Sequence, residues 1–345
     1  MPNSRLIIDC QALEQRFRQI EREYGKQIVP MVKGNGYGVG SFEMASLYNK
    51  LGAPFVGVSY ADEAIELRKK GYSAPILVLS CPIPQEAFDF DLTVILSSLE
   101  EAQKLHNEGA KRERKINVHL NLDLGLNRQG FRPDELFAAL PFIKQSPWIE
   151  VEGLMSHFGF ESTEAAAQFE TIAKAIHPRF IHIESSKSLS LALPSCNLMR
   201  LGLTLLTNLT LESTVVSLRQ CKKGESIGYY GEKVLRDMQV ALLGIGYHDG
   251  LHQHYSGKGY VYIAGQKAAY VGSIYMDFLS IDVTGIDVKV GDRAEIFGPH
   301  IPLEEVASWG KTNPRQLLCC LGPRVKREYV NIRENVESGQ AHCAL

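Results

Sequence analysis

The chain has 345 residues, of which 45% are hydrophobic and 22% are charged, and its formal net charge is −2. That length suits one large barrel or two domains, and the composition is typical of a soluble globular protein with a full core. A charge so close to zero gives no electrostatic case for binding nucleic acid or an anionic membrane.

The cysteines and the N-terminal segment indicate which cellular compartment and which kinds of site to expect. The 7 cysteines are scattered without CxxC spacing, which indicates neither a disulfide framework nor a zinc site, so no metal is expected. The first residues, "MPNSRLIIDCQALEQ", lack the long apolar core of a signal peptide, and no apolar run approaches the length of a membrane span. We therefore expect a cytoplasmic protein.

The first predicted element, "RLIIDC" at residues 5–10, is a strand outside the repeat that follows, and we expect it to pair into a second domain. Short apolar runs then alternate with amphipathic, helix-like stretches. The eight runs are residues 28–33, 54–59, 75–80, 92–98, 116–123, 151–158, 180–186 and 198–203. Such strand–helix units over about 200 residues are typical of a (β/α)8 barrel. A doubly wound sheet is the alternative, but the absence of a GxGxxG turn favours the barrel.

Beyond residue 210 the pattern changes to alternating segments that are rich in Val, Ile and Tyr and punctuated by glycine, such as "STVVSLRQ" and "DRAEIFGP". This pattern predicts a mainly antiparallel β domain, and "NPRQLLCCLG" near the end predicts one short helix. We expect the barrel to span residues 10–208 and the β domain to comprise residues 1–9 and 209–345.

Several predicted barrel strands end in a chemically capable residue, where barrel enzymes place their active sites. These residues are Lys33, Ser59, Ser80, Asp123, His157 and Ser186. A lone strand-end lysine is more often a rim cation, but Lys33 is followed by "GNGYGVG", which has four glycines in seven residues. Glycines let the backbone approach a ligand, and a lysine in a partly dry site has a lowered pKa that makes it a Schiff-base nucleophile. Bound pyridoxal phosphate would account for Lys33, the glycines and Tyr37 together.

The segment "MVKGNGYGVG" resembles the pyridoxal-phosphate attachment motif of the alanine racemases, VKANAYGHG. Further segments resemble motifs of that family in the same order: "LNLDLGLNRQGF", "EGLMSHF", "HIESSKSL", "MRLGLTL", "IGYHDG", "VGSIYMDFLSIDVT" and "CCLGPRVKREY". These matches span about residues 28 to 329, almost the whole chain. The resemblance implies a barrel followed by a β domain, pyridoxal phosphate as cofactor, and a head-to-tail homodimer in which each active site borrows residues from the partner.

The resemblance also implies which residues hold the cofactor. Lys33 would carry it as a Schiff base and later act as a base on one face of the substrate. Tyr37, Ser186 and the backbone N–H groups of Gly202 and Leu203 would contact its phosphate, and such donors at strand ends agree with common barrel practice.

A second group would serve the reaction. Arg200 would face the pyridine nitrogen and, because arginine keeps its proton, would leave that nitrogen unprotonated, which favours racemisation over transamination. Tyr247 would be the second base, delivered across the dimer interface. A free tyrosine has a pKa of about 10, so cationic neighbours must lower it, and His157 and Arg200 are the expected ones. Without the resemblance, His157 would be read as an ordinary barrel histidine.

The substrate carboxylate would be bound by Arg128 and by the backbone N–H of Met276 from the second subunit, with Asp277 supporting the local structure. The chain departs from the family pattern at Asn121, which replaces a lysine that many members carbamylate to give Arg128 a negative partner. We therefore expect a bound anion or a neighbouring carboxylate beside Asn121. Pro323 replaces an aromatic residue that often lines the substrate pocket; the other departures are Val39, Ser273 and Lys326.

Three alternatives accompany this interpretation. A broad-specificity amino-acid racemase would be consistent with Asn121 and Pro323. A non-catalytic pyridoxal-phosphate carrier would have neither a second domain nor the Tyr247 motif, and the sequence has both. A related decarboxylase would present an acidic partner to the pyridine nitrogen, where this chain has Arg200. The leading hypothesis is a racemase that acts on alanine through Lys33 and Tyr247.

Overall fold

The computed structural model describes residues 3–80, 83–159, 162–183 and 193–332. The chain begins with strand β1 (Ser4–Asp9), which pairs with strands of the C-terminal half, and then enters a series of eight parallel strands. These are β2 (Gln27–Pro30), β3 (Val56–Val58), β4 (Ile76–Val78), β5 (Thr93–Leu96), β6 (Ile116–Leu122), β7 (Ile149–Ser156), β8 (Phe180–His182) and β9 (Leu198–Leu201).

The parallel strands follow one another around a barrel. Strands β3 to β8 form a continuous ladder in chain order, and β2 pairs with β9. A bridge between Met31 and Gly57 joins β2 to β3. On the opposite side, Asn197 N–H donates to the carbonyl oxygen of Ile181 at 3.1 Å, next to the gap between β8 and β9. The predicted (β/α)8 architecture is therefore confirmed.

Helices cover the outside of the barrel because each buries one apolar face; in α1 (Cys10–Tyr24) that face carries Leu13, Phe17 and Ile20. Side-chain caps set several starts: Ser98 accepts a hydrogen bond from the N–H of Glu101 at the start of α6. The remaining helical segments are α2 (Lys33–Tyr37), α3 (Ser41–Lys50), α4 (Ala61–Lys69), α5 (Pro84–Asp89), α6 (Leu99–Arg112), α7 (Pro133–Gln145) and α8 (Thr163–Ile176).

The C-terminal half is a mainly antiparallel sheet, as its alternating pattern predicted. Its strands are β10 (Leu209–Cys221), β11 (Ser226–Ile227), β12 (Glu232–Lys233), β13 (Met238–Leu243), β14 (Tyr260–Ile263), β15 (Gln266–Ala269), β16 (Leu279–Asp282), β17 (Arg293–Phe297) and β18 (Lys326–Val330). The order is β15-β14-β17-β10-β1-β18, and β13 pairs with β10 and β16. All these pairs are antiparallel except β1 with β18.

Two short helices of this half, α9 (Leu303–Trp309) and α10 (Pro314–Cys319), lie before β18. Helix α10, which the sequence predicted, packs directly on the segment that follows Lys33, because a Cβ atom on Gly38 would lie only 2.1 Å from the carbonyl oxygen of Leu318. Strand β18 also contacts this segment, because the Tyr329 hydroxyl donates a hydrogen bond to the carbonyl of Val39 at 2.6 Å. Among the described residues, no helix is long and apolar enough to cross a membrane.

Candidate active site

A cleft of about 370 Å³ opens at the carboxyl ends of the barrel strands. Most residues selected from the sequence lie in its wall: Lys33, Tyr37, Asn121, Asp123, Arg128, His157, Arg200, Gly202 and Leu203. Residues that are distant in the sequence thus meet in one place, at the end of the barrel where enzymes of this architecture carry out chemistry.

Lys33 lies at the start of a left-handed turn. The next residues have positive φ angles of 60° at Gly34, 52° at Asn35, 63° at Gly36 and 57° at Tyr37. Residues with a side chain rarely adopt this conformation, whereas glycine adopts it freely. Glycine at two of these four positions therefore lowers the conformational cost of the turn, a reason that the sequence analysis did not give.

The turn places Tyr37 against Gly202 at the end of β9. A Cβ atom on Gly202 would lie 2.3 Å from the hydroxyl oxygen of Tyr37, so only glycine leaves room for this ring. Gly202 precedes a 3-10 turn, Leu203–Leu205, and the leading N–H groups of such a turn have no partner within it. Burial raises the pKa of Tyr37, so its hydroxyl stays protonated and can donate a hydrogen bond to an anion.

The ammonium group of Lys33 is destabilised in this cleft. Burial is the main cause that lowers its pKa, and the positive charges of Arg128, Arg200 and Arg315 lower it further, against the opposing effect of Glu63. A lowered pKa increases the fraction of neutral amine near pH 7, which is the form that attacks a carbonyl or accepts a proton.

The two carboxylates near Lys33 are occupied by backbone N–H groups. Glu63 accepts hydrogen bonds from the N–H of Gly34 at 2.6 Å and of Ser59 at 2.7 Å. Asp123 accepts from the N–H groups of Gly125, Asn127 and Arg128 at 2.8–3.0 Å, and these bonds lower its pKa although burial opposes them. Both carboxylates therefore hold loops in place.

Arg200 is buried and its guanidinium is fixed by the barrel backbone. It donates to the carbonyl oxygens of Ser156 at 2.6 Å, His182 at 3.0 Å and Ile183 at 3.1 Å. Its Nη1 also lies against His182 Nδ1. Because arginine only donates hydrogen bonds, His182 must accept at Nδ1 and carry its proton on Nε2.

A row of hydrogen bonds continues from His182. Its Nε2 lies 2.7 Å from His119 Nδ1, and His119 Nε2 lies 3.3 Å from the carboxylate of Glu152. Burial lowers the pKa of both histidines, most strongly for His182, so both rings are neutral. Each imidazole therefore accepts a hydrogen bond at Nδ1, on the side of the cleft, and donates one from Nε2, away from the cleft. The last acceptor in the row is the carboxylate of Glu152. The sequence analysis did not identify His119 or His182.

His157 requires a correction. The sequence analysis expected it to be one of the cations that lower the pKa of Tyr247. In the structure, burial and the positive charges of Arg200, Arg128 and Lys33 lower the pKa of His157 to about 4. Its imidazole is therefore neutral at pH 7 and cannot act as a cation in this chain. It remains in the cleft wall as a polar, uncharged residue.

Asn121 lies buried in β6 and holds the loop that carries Arg128. Its side-chain amide donates to the carbonyl oxygen of Gln129 at 2.9 Å and to the hydroxyl of Ser97 at 3.2 Å. The Arg128 guanidinium makes no hydrogen bond or ion pair within residues 3–80, 83–159, 162–183 and 193–332. The neighbouring carboxylate that the sequence analysis offered as one possible partner is thus not found in the described part of the chain.

Tyr247 and Met276 lie in the C-terminal half, outside the wall of this cleft, with 37% and 49% of their surface exposed. Their loops are joined, because the N–H of Tyr247 donates to the carbonyl of Tyr275 at 3.0 Å. One chain therefore does not bring Tyr247 and Lys33 into the same cleft, and instead presents Tyr247 and Met276 on a common surface.

Arg324 clamps these two loops together. Its guanidinium donates to both carboxylate oxygens of Asp249 at 2.9 and 3.0 Å and to Asp277 at 2.7 Å. Asp249 is buried and also accepts from the N–H of Gly246 at 2.9 Å. Asp249, two residues after Tyr247, is thus tied through Arg324 to Asp277, which follows Met276.

Three further positions remain to be described, two that the sequence analysis named and one that it did not. Ser186 lies outside the described residues. Pro323 is exposed and is not in the cleft wall. Arg315 of α10 does line the cleft, although the sequence analysis passed over it; the only signal was a cation at the start of the predicted "NPRQLLCCLG" helix.

Comparison with known proteins adds to this geometry. Residues 8–208 match the family model "Alanine racemase, N-terminal domain", and residues 208–329 match "Alanine racemase, C-terminal domain". A curated alanine racemase from Borreliella burgdorferi is 30% identical, over 95% of this chain and 98% of the relative. The solved alanine racemase of Clostridium difficile 630 superposes with a TM-score of 0.88 at 25% identity, over 99% of this chain and 98% of that one. An alanine racemase from Bartonella henselae, solved with covalently bound pyridoxal phosphate, superposes with a TM-score of 0.84 at 24% identity, over 96% of this chain and 100% of that one. The chain belongs to the alanine racemase family.

Proposed function

We propose that this protein is a pyridoxal-phosphate-dependent racemase that interconverts L- and D-alanine. The observation that carries the proposal is Lys33, which lies half-buried at a barrel strand end with a lowered pKa and faces the same cleft as Tyr37 and Arg200. The alanine substrate is supported by family membership and by the name that the curated relatives bear.

The cleft has the chemistry that this cofactor needs. The phosphate carries nearly two negative charges at pH 7, and the described wall holds the guanidinium groups of Arg128, Arg200 and Arg315. The Tyr37 hydroxyl above Gly202 is a neutral donor of the kind that binds a phosphate. Ser186, Gly202 and Leu203 are proposed as further phosphate contacts.

When bound, the cofactor draws electrons from the α-carbon of the substrate and weakens its C–H bond. Lys33 Nζ accepts or returns a proton on one face of that carbon, and we assign the other face to Tyr247 of the partner subunit. Arg200 is held by three carbonyl oxygens and would donate a hydrogen bond to the ring nitrogen. Because arginine keeps its proton, this contact would leave the ring nitrogen unprotonated, which would favour racemisation over transamination.

A homodimer completes this site. Lys33 and Tyr247 are not in the same cleft of one chain, and a head-to-tail dimer would bring them together. Large apolar side chains lie exposed in the C-terminal half: Tyr229 at 75%, Tyr230 at 77%, Leu235 at 81% and Met276 at 49%. Tyr229 packs edge-on against Tyr275, beside Met276, with ring centroids 5.1 Å apart. Such a surface is typical of a protein–protein interface.

Arg128 would bind the substrate carboxylate, and the backbone N–H of Met276 from the partner would bind it too. Between turnovers we expect a small anion such as chloride beside Arg128 and Asn121, because Asn121 is already committed to Gln129 and Ser97 and supplies no charge. Titration of the apo protein with chloride, followed by the binding of acetate as a carboxylate probe, would show competition; independent binding would contradict this assignment.

The attachment of the cofactor can be tested directly. Reduction with borohydride of the protein loaded with pyridoxal phosphate should fix the label on the peptide that contains Lys33. Lys33→Ala should abolish the label, while Lys50→Ala, an exposed lysine nearby, should leave it unchanged. A label on another peptide would overturn the proposal. Labelling without racemisation would instead favour a carrier protein.

The second base has its own test. Tyr247→Phe should leave cofactor binding intact, nearly abolish removal of the α-proton from L-alanine, and spare residual deuterium exchange of D-alanine. A positioned acid–base group contributes about 10²–10⁴-fold. Tyr24→Phe is a matched control, because Tyr24 is also 37% exposed. Racemisation by Tyr247→Phe at the wild-type rate would remove Tyr247 from the mechanism.

A further inference from the structure

Arg315 reaches the barrel cleft from the C-terminal half of the same chain. It belongs to α10, which packs against the turn that follows Lys33 through the contact between Leu318 and Gly38. Arg315 lines the cleft together with Tyr37, Gly202 and Leu203. The packing of α10 on the barrel therefore fixes the backbone of Arg315 at the cleft, while the Arg315 side chain stays exposed to solvent there.

Arg315 and Tyr37 line the same cleft and interact electrostatically. Arg315 is the cation that most lowers the pKa of Tyr37, against a larger effect of burial. The positive charge of Arg315 also lowers the pKa of Lys33, so Arg315 acts on two residues of the same cleft wall.

Arg315 has no partner within the described part of the chain: no hydrogen bond or ion pair involves its guanidinium there. The carboxylate that also acts on Tyr37 and Lys33 is Glu63, which is committed to the backbone N–H groups of Gly34 and Ser59. An arginine without a protein counter-ion, beside a hydroxyl donor, suits an anionic ligand with several acceptor oxygens.

We propose that Arg315 binds the phosphate group of pyridoxal phosphate, together with the hydroxyl of Tyr37. The inference rests on the proposed function, since it names a residue that holds the same cofactor. Guanidinium groups bind phosphate through two parallel hydrogen bonds. Pro323, which replaces an aromatic residue common in the family, has no side-chain donor and lies outside the cleft wall, whereas Arg315 lines the wall and offers a charged donor.

The test compares two ligands that differ only in the phosphate. Apo protein of full length would be titrated with pyridoxal phosphate and with pyridoxal, following absorbance. Arg315→Ala should weaken binding of pyridoxal phosphate by about 10- to 100-fold, the loss expected for a hydrogen bond to a charged group, and should change the affinity for pyridoxal less than threefold or so. Arg315→Lys should be intermediate because it keeps the charge without the two-pronged geometry. Arg22→Ala, at an exposed arginine of α1, is the control.

The outcomes separate the inference from the function on which it rests. Unchanged affinity of Arg315→Ala for pyridoxal phosphate, or an equal loss for both ligands, would overturn the role of Arg315 and leave the proposed function standing. A raised KM for alanine with unchanged cofactor affinity would overturn it too, because the ligand of Arg315 would then be the substrate carboxylate. A wild-type protein that fails to attach pyridoxal phosphate at Lys33 would overturn the proposed function first. If Arg315→Ala folds poorly, Arg315→Lys alone decides, since a Lys variant with wild-type affinity would contradict the proposal.

Discussion

Adding one methyl group at Gly202 should disturb the site through Tyr37. A Cβ atom there would lie 2.3 Å from the hydroxyl oxygen of Tyr37 and 2.4 Å from Cζ, whereas ordinary contacts lie at about 3.5–4.0 Å. The ring must therefore move by about 1 Å or more. If the Tyr37 hydroxyl binds the phosphate, Gly202→Ala loses a hydrogen bond to a charged group worth about 1.5–3 kcal/mol, which is about 10- to 150-fold in Kd.

A double-mutant cycle shows whether the effect passes through Tyr37. The Kd for pyridoxal phosphate would be measured for Gly202→Ala, Tyr37→Ala and the double variant. Removal of the ring relieves the clash, so we expect Gly202→Ala to add little in the Tyr37→Ala background, and residues in contact are expected to be non-additive. An equally large effect of Gly202→Ala in both backgrounds would refute the reasoning, because Gly202 would then act without Tyr37.

Four further outcomes are expected. The pKa of His157 is about 4 in the folded chain, against 6.5 for an ordinary histidine. Between these two pH values the unfolded chain binds more protons than the folded chain, so the free energy of unfolding should rise as the pH rises from 4 to 6.5. Urea denaturation at several pH values should show this rise, and the rise should be smaller in His157→Gln. Arg128→Ala removes a cation that lowers the pKa of Lys33, so this pKa should rise, and the pH profile of borohydride-trapped cofactor should move to higher pH. Arg324→Met should lower the free energy of unfolding by about 2 kcal/mol, because it removes charge-assisted hydrogen bonds to Asp249. The loss should not be larger, since the Arg324 side chain is 45% exposed. An unchanged Tm would show that Arg324 does not hold the two loops together. The kcat/KM for L-alanine should exceed those for L-serine, L-methionine and L-lysine, and comparable values would favour the broad-specificity alternative.

The barrel and the main site residues could be predicted because their signals are local. Runs such as "PILVLS" are buried as parallel strands, and β4 indeed has all of its residues buried. A residue at the end of such a run falls at the same edge as every other strand end, which is why Lys33, Asp123 and His157 were predicted to lie at one edge of the barrel, whereas Arg200 was assigned to the site by the family resemblance.

Other features could not be predicted, because they depend on contacts between distant segments. The neutrality of His157 results from burial and from cations on three other segments. Arg315 enters the cleft only because α10 packs on the turn after Lys33. The glycine pattern after Lys33 indicated close approach of the backbone to a ligand, but the handedness of the turn is a property of the folded backbone.

The row of hydrogen bonds from Arg200 through His182 and His119 to Glu152 has a consequence for proton traffic. A proton that enters from solvent at Glu152 would have to convert both neutral imidazoles to their other tautomers before it reached Arg200. Arg200 cannot accept that proton, so the row ends in a residue that blocks transfer. This row therefore does not relay solvent protons from Glu152 to a molecule bound in the cleft, and proton exchange at the α-carbon must use other groups, such as Lys33.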